Sequence, residues 1–267
     1  MSTSPFLDTA RDIVLRAGEI QLARQASGFR IDKKGTTDLV TEVDLECERM
    51  CRAVLAERFP DHEVLAEELG GTEAGARARF RWVFDPVDGT TNYAHGLPIY
   101  CSSLALEVDG ELAVGAIYDP SRRELFTAER GEGAWLNGER LRVSSAATLI
   151  DALLVTGFPY DVTLRKDELL GVFAAFLQAT RAVRRLGSAA IDLCYVAAGR
   201  FDGFWEQHLK PWDVAAGALI VTEAGGRMSR MDGSAFDIGA GSLIASNGVI
   251  HDDMLRVVAE FYASRAR

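Results

Sequence analysis

The sequence predicts an α/β chain in two halves: an α+β half over residues 1–145 and an α/β half over residues 146–267. Three observations carry this. Apolar residues near the start recur at helical spacing. A turn-punctuated run of strands occupies residues 99–143. Beyond Ser144, strands and helices alternate, the pattern of a layered α/β unit.

Leu7, Ala10, Ile13, Val14, Ala17 and Ile20 place one apolar face on a helix over residues 6–25. Residues 28–37, with Lys33-Lys34-Gly35, read as a loop or short hairpin. Val43, Cys47, Met50, Cys51, Val54 and Leu55 share a second helix face, with Asp44 in the first turn, where the helix dipole favours a carboxylate. His62-Glu63-Val64-Leu65-Ala66 is a short strand that delivers Glu67 and Glu68, and residues 70–78 are small and polar, a mobile loop. Residues 80–84 form a buried strand ending at Asp85. Asp109-Gly110, Asp119-Pro120 and Asn137-Gly138 mark the turns of the antiparallel run.

In the second half, Leu153-Leu154-Val155-Thr156 is a strand, 166–180 an amphipathic helix and 182–186 a strand. Ser188 opens a helix through Ala198, and residues 201–206 form a strand. Asp213 opens a helix through Glu223 with a glycine cap after it, and 252–264 is the last helix. Neither a repeat nor a flexible linker separates the halves, so they are expected to pack around a cleft.

Hydrophobic residues make up 48% and charged residues 25% of 267, the composition of a globular chain. The net charge of -10 opposes nonspecific binding to nucleic acid or to anionic membrane. No apolar run reaches spanning length, and the first residues lack a secretory pattern. The four cysteines are sparse and fit buried side chains in a reducing cytoplasm.

Asp85-Pro86-Val87-Asp88-Gly89-Thr90-Thr91-Asn92 carries the chemistry. Two carboxylates this close repel unless a cation lies between them. The glycine lets a backbone N–H approach an anion, and the threonine hydroxyls suit water and phosphate oxygens. A hard cation beside an anion cradle points to metal-assisted phosphate chemistry. An Asp-Gly hairpin turn is the plain alternative. Asp44, Glu67-Glu68 and Trp212-Asp213 each add an acid at the edge of an apolar element.

With Tyr93, that run resembles the first signature of the inositol monophosphatase family of magnesium-dependent phosphatases, and Trp212-Asp213-Val214-Ala215-Ala216-Gly217 resembles its second. Asp38-Leu39-Val40-Thr41 with Asp44, Glu67-Glu68, Gly187-Ser188-Ala189-Ala190 and Glu206 match further segments in order, over nearly the whole chain. The resemblance implies a layered αβαβα sandwich, a cytoplasmic homodimer, lithium sensitivity and two or three Mg2+ per site. Glu67, Asp85 and the Val87 carbonyl would hold one Mg2+, and Asp85, Asp88 and Asp213 a second. Thr90, with Glu67, would orient a metal-activated water, with Asp44 behind them or at an additional metal. Gly89 and Thr90 N–H groups would bind phosphate, and Ala189, Glu206 and Asp213 would line the substrate side. Lys33 aligns with a family lysine on a loop over the metals. The implied reaction is hydrolysis of a phosphate monoester, foremost myo-inositol 1-phosphate to inositol and phosphate.

Within the family, fructose 1,6-bisphosphate, adenosine 3′,5′-bisphosphate, NADP and histidinol phosphate are alternatives. Arg181, Arg184 and Arg185 are candidate contacts for a second phosphate, or a basic strand edge. An aspartate-nucleophile phosphatase would space its acids by two residues, whereas Asp85 and Asp88 are three apart. A non-catalytic metal- or phosphate-binding regulator would be expected to have lost a ligand, and all are present. The four histidines are dispersed and match no zinc motif.

Overall fold

The structure is a computed structural model that describes residues 4–35, 39–71 and 78–265; Asp38, at the head of one family-like segment, lies outside them. Helix α1 (Pro5–Ser27) starts where the Ser4 hydroxyl accepts the Leu7 N–H, and it buries the predicted face. Strands β1 (Ile31–Lys33) and β2 (Leu39–Thr41) form an antiparallel hairpin. Helix α2 (Glu42–Arg58) opens with a capping box between Thr41 and Asp44. Strand β3 (Glu63–Ala66) and the two-residue β4 (Gly70–Gly71) follow; the rest of the loop expected over 70–78, residues 72–77, lies outside the described residues.

Strand β5 (Phe80–Asp88) runs past Asp85 into the short helix α3 (Thr90–Ala94). The antiparallel run is β6 (Cys101–Val108), β7 (Glu111–Asp119), β8 (Glu124–Glu129), β9 (Gly133–Leu136) and β10 (Glu139–Arg140). Asp109-Gly110 and Asn137-Gly138 turn it with positive φ at both residues of each pair.

Next come β11 (Leu153–Thr156), α4 (Val162–Ala179), β12 (Ala182–Arg184), α5 (Ala189–Ala197) and β13 (Gly203–Gln207). Helix α6 (Pro211–Glu223), strands β14 (Arg227–Ser229) and β15 (Ser242–Ser246), and α7 (His251–Arg265) complete the chain. Three expectations change. Helix α4 opens at Val162, one turn before the expected residue 166, because its largely exposed first turn carries no apolar period. Helix α6 opens at Pro211 rather than Asp213, because Pro suits the first helical turn and Asp213 reaches back to cap it. Strands β14 and β15 were not predicted: both are short, and the glycines and aspartates between them break the periodicity.

The eight-stranded sheet has the order β10-β9-β8-β7-β6-β5-β3-β4, and the five-stranded sheet β12-β11-β13-β15-β14. Three cores stack these sheets and helices into five layers. Ile13, Val14, Cys47 and Leu55 of α1 and α2 pack with Trp82 and Phe84 on one sheet face. Ile191, Leu193, Leu219 and Ile220 of α5 and α6 fill the middle, between Val83 and Ile117 on one side and Val155 and Phe204 on the other. Val172, Phe176, Met254 and Val258 of α4 and α7 cover the outer face. The result is the αβαβα sandwich. Among the described residues no helix is long and apolar enough to cross a membrane.

Candidate active site

Sheet topology gathers the acids. Strands β3 and β5 run parallel with Ala66 opposite Phe84, so the residues that follow, Glu67 and Asp85, emerge side by side at one sheet edge. In a regular strand, residues three apart face opposite sides. Here the β5–β6 register shifts between Asp85 and Asp88, a bulge that accommodates Pro86. The extra residue turns Asp88 to the α5 side, where its Oδ2 accepts the Ser188 hydroxyl at 2.7 Å and the Ala190 N–H at 2.6 Å. Val83, two residues before Asp85, faces the same layer.

Strands β11, β12 and β13 are parallel, so their carboxyl ends point one way. They deliver Gly157, Arg185 and Glu206 to a cleft of about 350 Å³ that Lys34, Glu67, Asp88, Gly89, Ala189 and Asp213 also line. A cleft outside strand carboxyl ends is the usual ligand position in such layered sheets.

The acids are short of positive charge. Asp85 is buried, and burial holds its carboxyl well above the usual carboxylate range; Glu67, Asp88 and Asp213 push it the same way. Burial raises Asp88 to about 6 despite its hydrogen bonds from Ser188 and Ala190. Burial and then Asp88 hold Asp213 high, although its Oδ2 accepts the Lys210 N–H at 2.7 Å. Burial, followed by Asp213 and Asp88, holds Glu206 high. Asp44 is pushed up to about 6 by burial; Thr41 satisfies its Oδ2, while Oδ1 has no partner among the described residues.

Lys34 rather than Lys33 reaches the acids. Its ammonium lies 2.9 Å from Glu67 Oε1 and contacts Glu68, whereas Lys33 is exposed on β1. Alternation along an extended strand turns adjacent side chains to opposite sides, so one lysine alone can face the site. Burial works against the Lys34 charge, but Glu67 and Glu68 hold it firmly protonated. Burial in turn pushes Glu68 up to about 7.

Asp85 Oδ1 accepts the Val87 N–H at 3.0 Å, and the Thr90 hydroxyl donates to the Val87 carbonyl at 2.9 Å. That carbonyl keeps a second lone pair. Gly89 adopts φ +93, and a Cβ there would meet the Ile99 carbonyl oxygen at 2.8 Å, so only glycine fits. A Cβ at Gly157 would collide with the Glu206 carboxylate.

The Glu67, Asp85, Asp88 and Asp213 carboxylates and the Val87 carbonyl offer oxygen donors, the chemistry of a hard divalent cation. Among the described residues no three acid, histidine or cysteine side chains already close into a ligand group; Asp85, Asp88 and Asp213 each accept a hydrogen bond from the protein, and Lys34 meets Glu67. The residues fit Mg2+: the mutual elevation of Asp85, Asp88 and Asp213 is the charge imbalance a cation relieves.

Sequence reading missed several supports. The Asn92 amide donates to the Ile99 and Leu186 carbonyls, each at 2.9 Å, joining the two halves behind the site. The Gln21 amide donates to the Pro86 carbonyl at 2.8 Å and steadies the bulge. Both are ordinary amides that no spacing singles out. Asp192, on α5, is buried with both carboxylate oxygens unpartnered among the described residues; its position after Ser188, in a helix otherwise apolar, was a visible signal. Of the arginines offered for a second phosphate, Arg185 lines the cleft, while Arg181 pairs with Asp151 on the surface.

The chain matches the inositol monophosphatase family over residues 2–262. It is 43% identical over 255 residues to an inositol-1-monophosphatase from Synechocystis sp., covering 95% of this chain and 88% of that one. It is 42% identical over 258 residues to a putative Nus factor SuhB from Neisseria meningitidis serogroup B, covering 96% and 98%. The structure of an inositol monophosphatase from Anabaena superposes with a TM-score of 0.87 at 38% identity, covering 96% and 95%. An IMPase/NADP phosphatase complexed with Mg2+ and phosphate superposes at 0.81 and 27% identity, covering 92% of each chain.

Proposed function

The chain belongs to the inositol monophosphatase family, and from that premise we propose that it hydrolyses myo-inositol 1-phosphate to inositol and phosphate with Mg2+. The observation that carries the reading is the set of converging acids: Asp85, Asp88 and Asp213, each raised by burial and by neighbouring acids, with Glu67 beside them. These four and the Val87 carbonyl would hold the cation. Mg2+ supplies positive charge that acidifies a water and neutralises the phosphate.

The protein's own residues do the rest. Thr90 Oγ1, fixed by the Val87 carbonyl, orients the attacking water, and Glu67 accepts its proton. The N–H groups of Gly89 and Thr90 face no intrahelical acceptor at the start of α3 and bind phosphate oxygens. Glu206 accepts hydrogen bonds from substrate hydroxyls, with Ala189 on the same wall. Asp44 supports this group from the first turn of α2, and Lys34 balances Glu67 and Glu68.

Phosphate release from myo-inositol 1-phosphate, fructose 1,6-bisphosphate, adenosine 3′,5′-bisphosphate, NADP and histidinol phosphate, with Mg2+ and with chelator, tests this. Mg2+-dependent release fastest on inositol 1-phosphate supports it. Preference for another ester replaces the substrate, and no release from any overturns the reading. Inhibition by millimolar lithium and a dimer mass by light scattering are expected of the same protein. The relative named as a Nus factor favours a second role beside catalysis; co-purification with the transcription machinery checks it.

A further inference from the structure

Glu48, on α2, is fully buried, and the cation site as drawn above makes no use of it. Its Oε2 accepts the Glu68 N–H at 2.9 Å, and the Leu69 N–H lies 3.1 Å from Oε1 and 3.3 Å from Oε2. Arg52, one turn on, closes the arrangement. Its Nε donates to Glu48 Oε1 at 2.9 Å, and its Nη2 lies 2.8 Å from the same oxygen while also donating to the Gly70 carbonyl. One carboxylate and one guanidinium thus hold the backbone of three consecutive residues, 68 to 70.

That segment is the turn between β3 and β4, and it begins with Glu67. The ladder on its far side is only two residues long, Leu65 opposite Gly71 and Ala66 opposite Gly70. So short a pairing fixes a turn weakly by itself. A buried carboxylate is costly unless its acceptors are satisfied. Here backbone N–H groups of the turn and Arg52 satisfy them, so turn and carboxylate are locked together. Lys34 meets Glu67 and Glu68 of the same turn through their side chains.

We propose that Glu48, backed by Arg52, is the positioning residue for Glu67: it clamps the turn so that the Glu67 carboxylate is presented to the cation without having to be ordered on binding. This rests on the reading of Glu67 as a cation ligand. Glu48 is engaged by the Glu68 and Leu69 N–H groups and Arg52, so it would stand behind the cation ligands, and groups in that outer position commonly change metal affinity by about 10–100-fold.

Two measurements on the full chain test it: Mg2+ titration by calorimetry, and amide exchange at Glu68 and Leu69 in metal-free protein. Glu48→Ala is expected to speed exchange at both amides by about tenfold or more and to weaken Mg2+ binding by about 10–100-fold. The loss of activity should appear in the Mg2+ requirement more than in kcat. Glu48→Gln, which keeps one acceptor oxygen, should recover part of both effects. Mg2+ affinity within about twofold of the unaltered protein, or unchanged exchange, overturns the proposal. If Glu48→Ala does not fold, Arg52→Ala, at a partly exposed position, should shift both readouts several-fold in the same direction, and no shift in either is equally fatal. Absence of Mg2+ uptake by the unaltered protein overturns the cation reading instead. The two failures are distinct because exchange is read without metal.

Discussion

Strands β5 and β6 bury an acid at each end of one ladder. At the far end Glu107 is 3% exposed, sits in register with Arg81 and accepts its Nε–H at 2.6 Å. At the near end Asp85 is 2% exposed, sits opposite Ser103, and its neighbours are further acids. Desolvation is comparable, but only one end has its cation built in. Asp119–Arg122 and Glu48–Arg52 follow the first pattern. Burial therefore does not distinguish Asp85 from Glu107; what distinguishes them is that Arg81 faces one and further acids face the other.

Exchanging the acids tests that contrast directly. Asp85→Asn should lower kcat/KM by about a thousandfold or more, roughly 4 kcal/mol of transition-state stabilisation. In chelator its melting temperature should hold or rise, because an uncompensated charge is gone. Asp88→Asn should behave likewise, and near-normal turnover at saturating Mg2+ from either variant breaks the distinction. Glu107→Gln should do the reverse, costing about 1–3 kcal/mol of stability through the orphaned Arg81 while activity at 25 °C stays within about twofold. Denaturant midpoints and initial rates on the same preparations decide it.

Gly157→Ala sharpens the contrast within the cleft. The new methyl displaces the Glu206 carboxylate, so KM for inositol 1-phosphate should rise about tenfold, near 1.4 kcal/mol, with Mg2+ affinity unchanged. An unchanged KM would remove Glu206 from substrate recognition.

The smallest effect concerns a buried base satisfied without charge. His251 lies between the Ser229 and Ser246 hydroxyls at 2.8 and 2.9 Å, and burial, aided by Arg227, lowers its pKa from 6.5 to about 4. As pH falls below 6.5 the unfolded chain takes this proton first. Its contribution to stability is therefore complete above pH 6.5, declines towards pH 4 and is flat below. Asp88 acts oppositely in metal-free protein: with its pKa raised from 3.8 to about 6, it takes a proton before the unfolded chain does, which favours the fold over that window. The stability difference between unaltered protein and His251→Asn, followed in chelator from pH 7 to 4, cancels the acids. A pH-independent difference would refute the assignment.

Much of this was legible. Apolar period placed α1 and α2, Asp-Gly and Asn-Gly placed the hairpins, and the Asp85–Asp88 run pointed to the cleft that Asp88 and Gly89 line. What escaped depends on three dimensions. The bulge that turns Asp88 towards Ser188 is a register shift against β6, which no local pattern records. Which of Lys33 and Lys34 faces the acids depends on how β1 pairs with β2. Glu48 and Arg52 show only as an i, i+4 pair, ordinarily a solvated helix face, until the turn from β3 is laid over them.

The hydrogen bond from Ser188 to Asp88 spans one hundred residues of chain, and the one from Asn92 to Leu186 spans ninety-four. During synthesis this separation is a delay. At about 5–20 residues per second, roughly 5–20 s pass between the making of Asp88 and of Ser188. Through that interval the acids stand in water, ionised and easily accommodated. Their burial is completed only when α5 and α6 dock onto the sheet, so this cluster of acids is closed by a stretch of chain made well after it.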